Sequence, residues 1–351
     1  MVVIPSLMLY RGKNMILEKT IIDSIERCYS VLSSKIDNER CLIVASEKID
    51  GELSYYPFNN LKDKHTIWDD IGGTMSIVAV PNNQNVFYIG TKFYPGFNSK
   101  DAGVYCIKKK NDTWEKKEIL QVPYLHRFDI FDVNGSLVFV GCTLCTSKAD
   151  KEDWSDPGKI LIGTLNNDVT ESFSLTVIKE GLLKNHGYWR GKYNGKDAGY
   201  IACDDGVYVF TPKDLKINRI LSGNISEMAV YDIDNCGKDE IVTIEAFHGN
   251  KCKIYKLNND EYVEIFNFPM EIDFAHALWA GNIGETNTII LGTRKLNKML
   301  YTITYINNEF VIEEQDANVG SANISVFNEN NQTYILSANN AIGEVALYKV
   351  K

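Results

Sequence analysis

Several kinds of signal are missing from this sequence, and each absence narrows the field. There is no basic stripe: Lys and Arg number 37 against 46 Asp and Glu, a formal charge of −9. A nucleic-acid partner is not expected, because phosphate-backbone binding needs clustered positive charge. No apolar run approaches the roughly 20 residues that a spanning helix requires, so no membrane partner is expected either. The opening MVVIPSLMLYRGKN lacks the basic start, long apolar stretch and small-residue cleavage site of an export signal. The eight cysteines are scattered, and only Cys142 and Cys145 form a C-x-x-C pair. Without a second such pair this reads as reduced, buried thiols rather than a zinc or redox motif. A cytoplasmic location follows as the expectation. Histidine is also scarce, at five residues, so where the histidines fall carries information.

Three of them open segments of one shape: HRFDIFDVNGSLVFVG from His126, HGYWRGKYNGKDAGYIA from His186 and HALWAGNIGETNTIILG from His276. In each, an aromatic or apolar stretch runs into an Asn/Gly turn and then an apolar, β-branched run. The 19 Tyr and 15 Phe favour strands over helices. The fullest copy of the unit runs from Ser226 to Phe268, with strands expected at 226–231, 240–246, 251–257 and 261–267. Further units start near Ile25, Thr74, His126, His186, His276 and Ala322, at spacings of about 40 to 60 residues. The last has three strands (NISVFNE, QTYILSA, EVALYKV), while a spare strand, MILEKTII at 15–22, precedes the first. Pairing the spare strand with the last unit closes a ring and removes open sheet edges. The expected fold is an all-β, seven-bladed propeller, one domain spanning 1–351. An open β-solenoid would leave MILEKTII without a role.

The element Asp232-Ile233-Asp234 through Gly237, Glu240, Ile241 and Val242, with degenerate copies at Asp132–Gly135, Asn194–Asp197 and Asn282–Gly284, resembles the FG-GAP/VCBS-type propeller repeat. Some members of that superfamily bind calcium in this loop. Only one copy here keeps both aspartates, so a tight turn is the preferred reading. A narrower likeness lies in Glu245-Ala246-Phe247-His248-Gly249-Asn250 followed by KIYKL. It is similar to a segment of propellers in the aldos-2-ulose dehydratase (anhydrofructose dehydratase) family. That resemblance implies elimination of water from keto- or anhydro-sugars with a divalent metal. The cupin portion of the large fungal members has no counterpart in this chain.

Propeller topology sends the starts of first strands and the loops between second and third strands to one mouth of the channel. His126, His186 and His276 begin first strands and His248 lies in such a loop, so four histidines are expected to meet. His65 falls near an outer strand and reads as a surface residue. Other blades carry Thr74, Ser226 and Ala322 at the aligned position, so the repeat itself does not require histidine. Histidines with a carboxylate and water make an open catalytic metal site. The expected ligands are His186, His248, His276 and Glu245, for a divalent ion (Zn, Mn or Mg). Asp204, Asp205, Glu227 and Asp129 are weaker carboxylate candidates. His126, another histidine left off the metal such as His186, or Tyr188, which shares the strand parity of His186, would serve as base; Arg294 would position the substrate or neutralise its charge. Lys92, Phe93, Tyr94, Thr143 and Asn339-Asn340 are expected around the same mouth, Trp189 and Trp279 between blades. The insertion Ser147–Pro157, with Trp154 inside it, is expected on the same face.

Three functions follow from this site. The first is a metal-dependent lyase or dehydratase acting on a small carbohydrate. The second is a glycoside hydrolase using Glu245 with Asp204 or Asp205. The third is a non-enzymatic propeller binding a glycan or protein.

Overall fold

The structure is a computed structural model describing residues 15–94 and 98–351; the N-terminal stretch read above for export signals lies outside them. Period-two alternation of apolar residues produces seven antiparallel four-stranded sheets, which follow one another along the chain as blades 1 to 7. Their first strands are Cys28–Ile36, Ser76–Ala79, Leu125–Val133, Gly187–Tyr193, Glu227–Tyr231, Asp273–Ile283 and Ser321–Glu329. These pack against one another in a ring. Blade 5 continues through Glu240–Glu245, Lys251–Asn258 and Glu261–Asn267, within a residue of each expected boundary.

The alternation buries both faces of each blade against its neighbours. In blade 5, Ile241 joins Tyr200 and Val209 of blade 4, whereas Val242 and Ile244 join Ile289, Leu291 and Tyr301 of blade 6. Trp189 and Trp279 lie in such seams. The hairpins between first and second strands turn on residues with positive φ, such as Asn134-Gly135 and Asn194-Gly195. This is the geometry that matches strand twist and favours Asn and Gly. Among the described residues no helix is long and apolar enough to cross a membrane.

The first and last strands of the described residues both belong to blade 7. Leu17–Ser24 pairs antiparallel with Glu344–Val350, from Leu17 opposite Val350 to Ser24 opposite Glu344. Behind it, Ile25, Leu42 and Val44 pack on Leu336, Ala338 and Leu347. The Ile25 N–H donates to Gly343 O at 2.8 Å. Gly343 has φ +65, a conformation L side chains rarely adopt. Removing the chain through Ser24 leaves blade 7 with three strands and an unpaired Glu344–Val350 edge. The expected outcome is a melting midpoint lower by about 10 °C or more, with concentration-dependent association in size-exclusion chromatography.

Candidate functional site

The histidines reach the channel through irregularities in the first strands. Arg127 pairs with Cys142 and Leu125 with Thr143, leaving His126 as an extra residue. The same bulge isolates His276 between Ala275 and Ala277, Tyr29 between Cys28 and Ser30 and Ala322 between Ser321 and Asn323. A bulge re-aims the side chain it carries. His186 sits just before its strand, its N–H donating to Ala202 O at 3.0 Å.

Side-chain bonds at or beside these positions tie six of the seven pairs of neighbouring blades, and blades 5 and 6 are joined instead by the Ala275 N–H donating to Gly249 O at 3.0 Å. His126 Nδ1 lies 3.1 Å from His186 O, His186 Nδ1 3.3 Å from Ser226 O, and His276 Nδ1 2.6 Å from Ala322 O. Three further junctions use Ser30 Oγ to Thr74 O, Ser76 Oγ to His126 O and Asn323 Nδ2 to Tyr29 O. A carbonyl only accepts, so the three Nδ1 atoms carry the protons. Each neutral ring therefore keeps its lone pair on Nε2, the atom left for a metal or a substrate. The approach of blades 4 and 5 depends on Gly187: a Cβ there would stand 2.6 Å from Ser226 O.

Ligand nitrogens of His186, His248 and His276 all lie within 4.8 Å of one another. His248 Nε2 is 3.2 Å from His186 Nε2, and Tyr29 OH donates to His276 Nε2 at 3.1 Å. Three imidazole nitrogens around one tetrahedral ion at about 2.0–2.1 Å stand about 3.4 Å apart, so the donor set fits a metal after small ring movements. His126 stacks beside His186 with ring centroids 4.2 Å apart. Burial is the first cause that holds all four ring pKa values well below the ordinary 6.5, with the guanidiniums of Arg127 or Arg294 adding to it, and neighbouring rings as well for His126, His248 and His276.

Beside the cluster opens a cavity of about 510 Å³, lined by His126, His248 and His276 but not by the buried His186, to which six of the seven blades contribute. One wall is a run of contacts: Arg294 lies over Phe274, Phe274 stacks on His248, His248 on Phe247, and Phe247 meets Trp154 edge-on. Trp154 comes from the 147–157 insertion, which reaches the histidine face. Phe93, Tyr94 and Arg294 line the cavity, and Asn340 holds Arg294. Asn339, by contrast, is buried against Ser337, Glu344 and Tyr348, Lys92 pairs with Glu118, and Thr143 Oγ1 accepts from Lys159 N at 2.9 Å.

Two expected members lie elsewhere. Glu245 shares a strand face with Thr243, and its carboxylate accepts from Thr243 Oγ1, Tyr255 OH and Lys253 Nζ at 2.7–3.1 Å. Strand parity turns it into the blade, away from the histidines. Tyr188 packs in the seam between blades 3 and 4 and donates to Asp129 Oδ2 at 3.2 Å; burial and Asp129 hold its phenol well above its usual pKa. Asp204 pairs with Lys184, and Asp205 with Arg219 and Tyr208. The carboxylate beside the cluster is Glu227, with Oε1 2.7 Å from His186 Nδ1 and 3.8 Å from Arg127. In the Asp232 turn, Asp232 caps the N–H groups of Cys236 and Gly237 while Asp234 pairs with Lys256. Cys142 and Cys145 are buried. His65 is exposed in an outer strand, stacked on Tyr55.

Arg27, Tyr29, Glu47, Met75, Lys184 and Phe274 also line the cavity and had not been singled out. A signal for Tyr29 existed: it precedes the turn residue Asp37 by eight positions, as His126 precedes Asn134 and His186 precedes Asn194.

No family profile matches the chain, and no curated protein matches it in sequence. Its fold does match solved structures. The crystal structure of Saccharomyces cerevisiae Sqt1 superposes with a TM-score of 0.58 over 92% of this chain and 84% of that one, at 10% identity. At that identity the likeness shows the fold alone: the chain is a seven-bladed β-propeller.

Burial gives the site a pH signature. The unfolded chain takes up histidine protons near pH 6.5 that the native site refuses, so this stability is present above 6.5 and falls as pH drops below it. Glu227 acts in the opposite sense. Burial pushes it from 4.5 up to about 8, so its share is present below 4.5 and lost as pH rises through 8. In thermal melts of chelator-treated protein, Glu227→Gln is expected to gain on the parent steadily between pH 4.5 and 8. A pH-independent difference would contradict a buried, protonated Glu227.

Proposed function

We propose that the chain is a metal-dependent carbohydrate lyase or dehydratase, eliminating water or an alkoxide from a keto- or anhydro-sugar at the mouth of the propeller channel. The observation that carries this reading is the convergence of His186, His248 and His276 beside an aromatic-walled cavity that His248 and His276 line, with the Nδ1 of His186 and of His276 bonded to backbone so that Nε2 keeps the lone pair. The similarity of the Glu245–Asn250 segment to aldos-2-ulose dehydratase propellers, and of the Asp232 turn to the FG-GAP/VCBS repeat, supports it. Phe93, Phe247 and Phe274 suit the C–H faces of a sugar ring, and Arg294 with Tyr94 suits its hydroxyl edges.

A divalent ion held by the three histidines would polarise the substrate carbonyl and stabilise charge developing on its oxygen. His126 is the base in this reading: it is neutral, lines the cavity and stands beside the trio. It takes the proton from the carbon next to the carbonyl. That C–H electron pair becomes the new C=C bond as the C–O bond at the following carbon breaks. The departing oxygen takes a proton and leaves as water or alcohol. Tyr29, whose phenol burial pushes up to about 12, keeps its proton and can donate it. Tyr188 and Glu245 have no part, being engaged elsewhere.

A second reading is a glycan-binding propeller without turnover, favoured by the partners that the Nε2 atoms of His186 and His276 already have. Hydrolysis is less well supported: of the two carboxylates lining the cavity, Glu47 is engaged by Arg27. Eight free thiols accord with a reducing compartment such as the cytoplasm.

Elemental analysis should find about one equivalent of zinc, manganese or magnesium, lost on chelation and reduced at least about tenfold in His186→Ala or His248→Ala. Incubation of metal-replete protein with keto- and anhydro-sugars should then produce the absorbance of an α,β-unsaturated carbonyl. Metal-free protein of unchanged composition in His186→Ala rejects the metal site. Release of reducing sugar without the absorbance favours hydrolysis.

A further inference from the structure

The cavity is basic in an acidic protein. Its lining includes Arg27, Lys151 and Arg294 against Glu47 and Glu152, with a fourth cation, Lys184, already paired to Asp204, while the chain carries a formal −9. The imbalance sits next to the histidines. Glu47 serves two guanidiniums at once, its Oε1 lying 3.0 Å from Arg27 Nη2 and 3.5 Å from Arg294 Nη2. The same oxygen also accepts from Asn340 Nδ2 at 3.1 Å. One carboxylate balances only one of the two cations. Arg27 Nε is shielded from solvent and has no hydrogen-bond partner among the described residues, a costly state for a guanidinium N–H. Arg294 is 16% exposed and lies over Phe274, the ring that also stacks on His248. The unbalanced charge is therefore built into the wall that carries the histidines.

We infer that the cavity selects a sugar acid, whose carboxylate seats against Arg27 and Arg294 while its ring lies toward the histidines. This rests on the carbohydrate elimination reading above and replaces the ketone of its substrate with a carboxylate as the activating carbonyl group. Guanidinium forks match a planar carboxylate in a bidentate manner. A phosphate meets the same forks, but the elimination separates the two anions. A carboxylate paired with cations acidifies the C–H beside it and is itself the carbonyl group that the reaction needs; a remote phosphate ester does neither.

The test is calorimetric titration of the metal-depleted full chain with D-glucuronate and D-galacturonate, alongside D-glucose, D-galactose and glucose 6-phosphate. At least one acid is expected to bind about tenfold more tightly than its neutral counterpart and than the phosphate, with a preference that weakens in salt. Arg27→Gln, at the more exposed of the two cations, should remove most of that preference, whereas Lys192→Gln at the opposite mouth should leave it intact. Equal binding of acids and neutral sugars, tighter binding of the phosphate, or an unaltered preference in Arg27→Gln overturns the inference. Selective binding of an acid by protein that forms no unsaturated product after metal is restored upholds it and overturns the lyase reading. Unselective binding with product formation does the reverse.

Discussion

The hydrogen bond from a histidine Nδ1 to the backbone carbonyl of the next blade is the contact on which the site depends. It performs two tasks. It ties neighbouring first strands together where the blades crowd closest to the axis, and it decides which ring nitrogen carries the proton. Serine or asparagine does the first task elsewhere in the ring, at Ser30, Ser76 and Asn323. Histidine adds the second, because only an imidazole has another basic nitrogen left to face the channel. The bulges at His126 and His276 complete the arrangement by giving the side chain a direction that a regular strand would not.

From that constraint the chemistry of the mouth follows. Buried imidazoles with a fixed tautomer stay neutral, and neutral imidazole is the form that binds metals or accepts protons. The wall beside them is stiffened by the contacts of Arg294, Phe274, His248, Phe247 and Trp154, which join two strands of blade 6 to loops of blades 5 and 3. His248 owes its place to that wall and to its backbone N–H donating to Ser226 Oγ, not to a strand. Arg27 and Arg294 share a single carboxylate, Glu47, so the local charge beside the histidines opposes the sign of the whole molecule.

The blade count, the strand boundaries of blade 5 and the closing strand were legible in the sequence because period-two patterning and Asn/Gly turns are local signals. The four-histidine mouth was legible for a related reason: topology alone assigns strand starts and the loops between second and third strands to one end. Side-chain direction was not. Glu245 looked well placed three residues before His248, yet its parity with Thr243 turns it toward Tyr255 and Lys253. Tyr188 has the parity of His186, but it lies beyond the strand start, where side chains enter the blade seam instead of the channel. Tyr29 was missed because blade 1 was aligned near Ile25; counting back from its turn reaches the bulge position. Glu227 became the neighbouring carboxylate through the close approach that Gly187 permits, a contact between blades that no local pattern records.

The central claim is that His186, His248 and His276 form one metal site. Crystals grown with manganese or zinc and measured at the metal's absorption edge test it directly. The account predicts a single strong anomalous peak in the channel mouth, about 2.0–2.2 Å from the three imidazole nitrogens, with the His186 and His276 rings still bonded through Nδ1 to Ser226 O and Ala322 O. No peak there, or a metal bound elsewhere while the His186–His248 and Tyr29–His276 contacts persist, would contradict it.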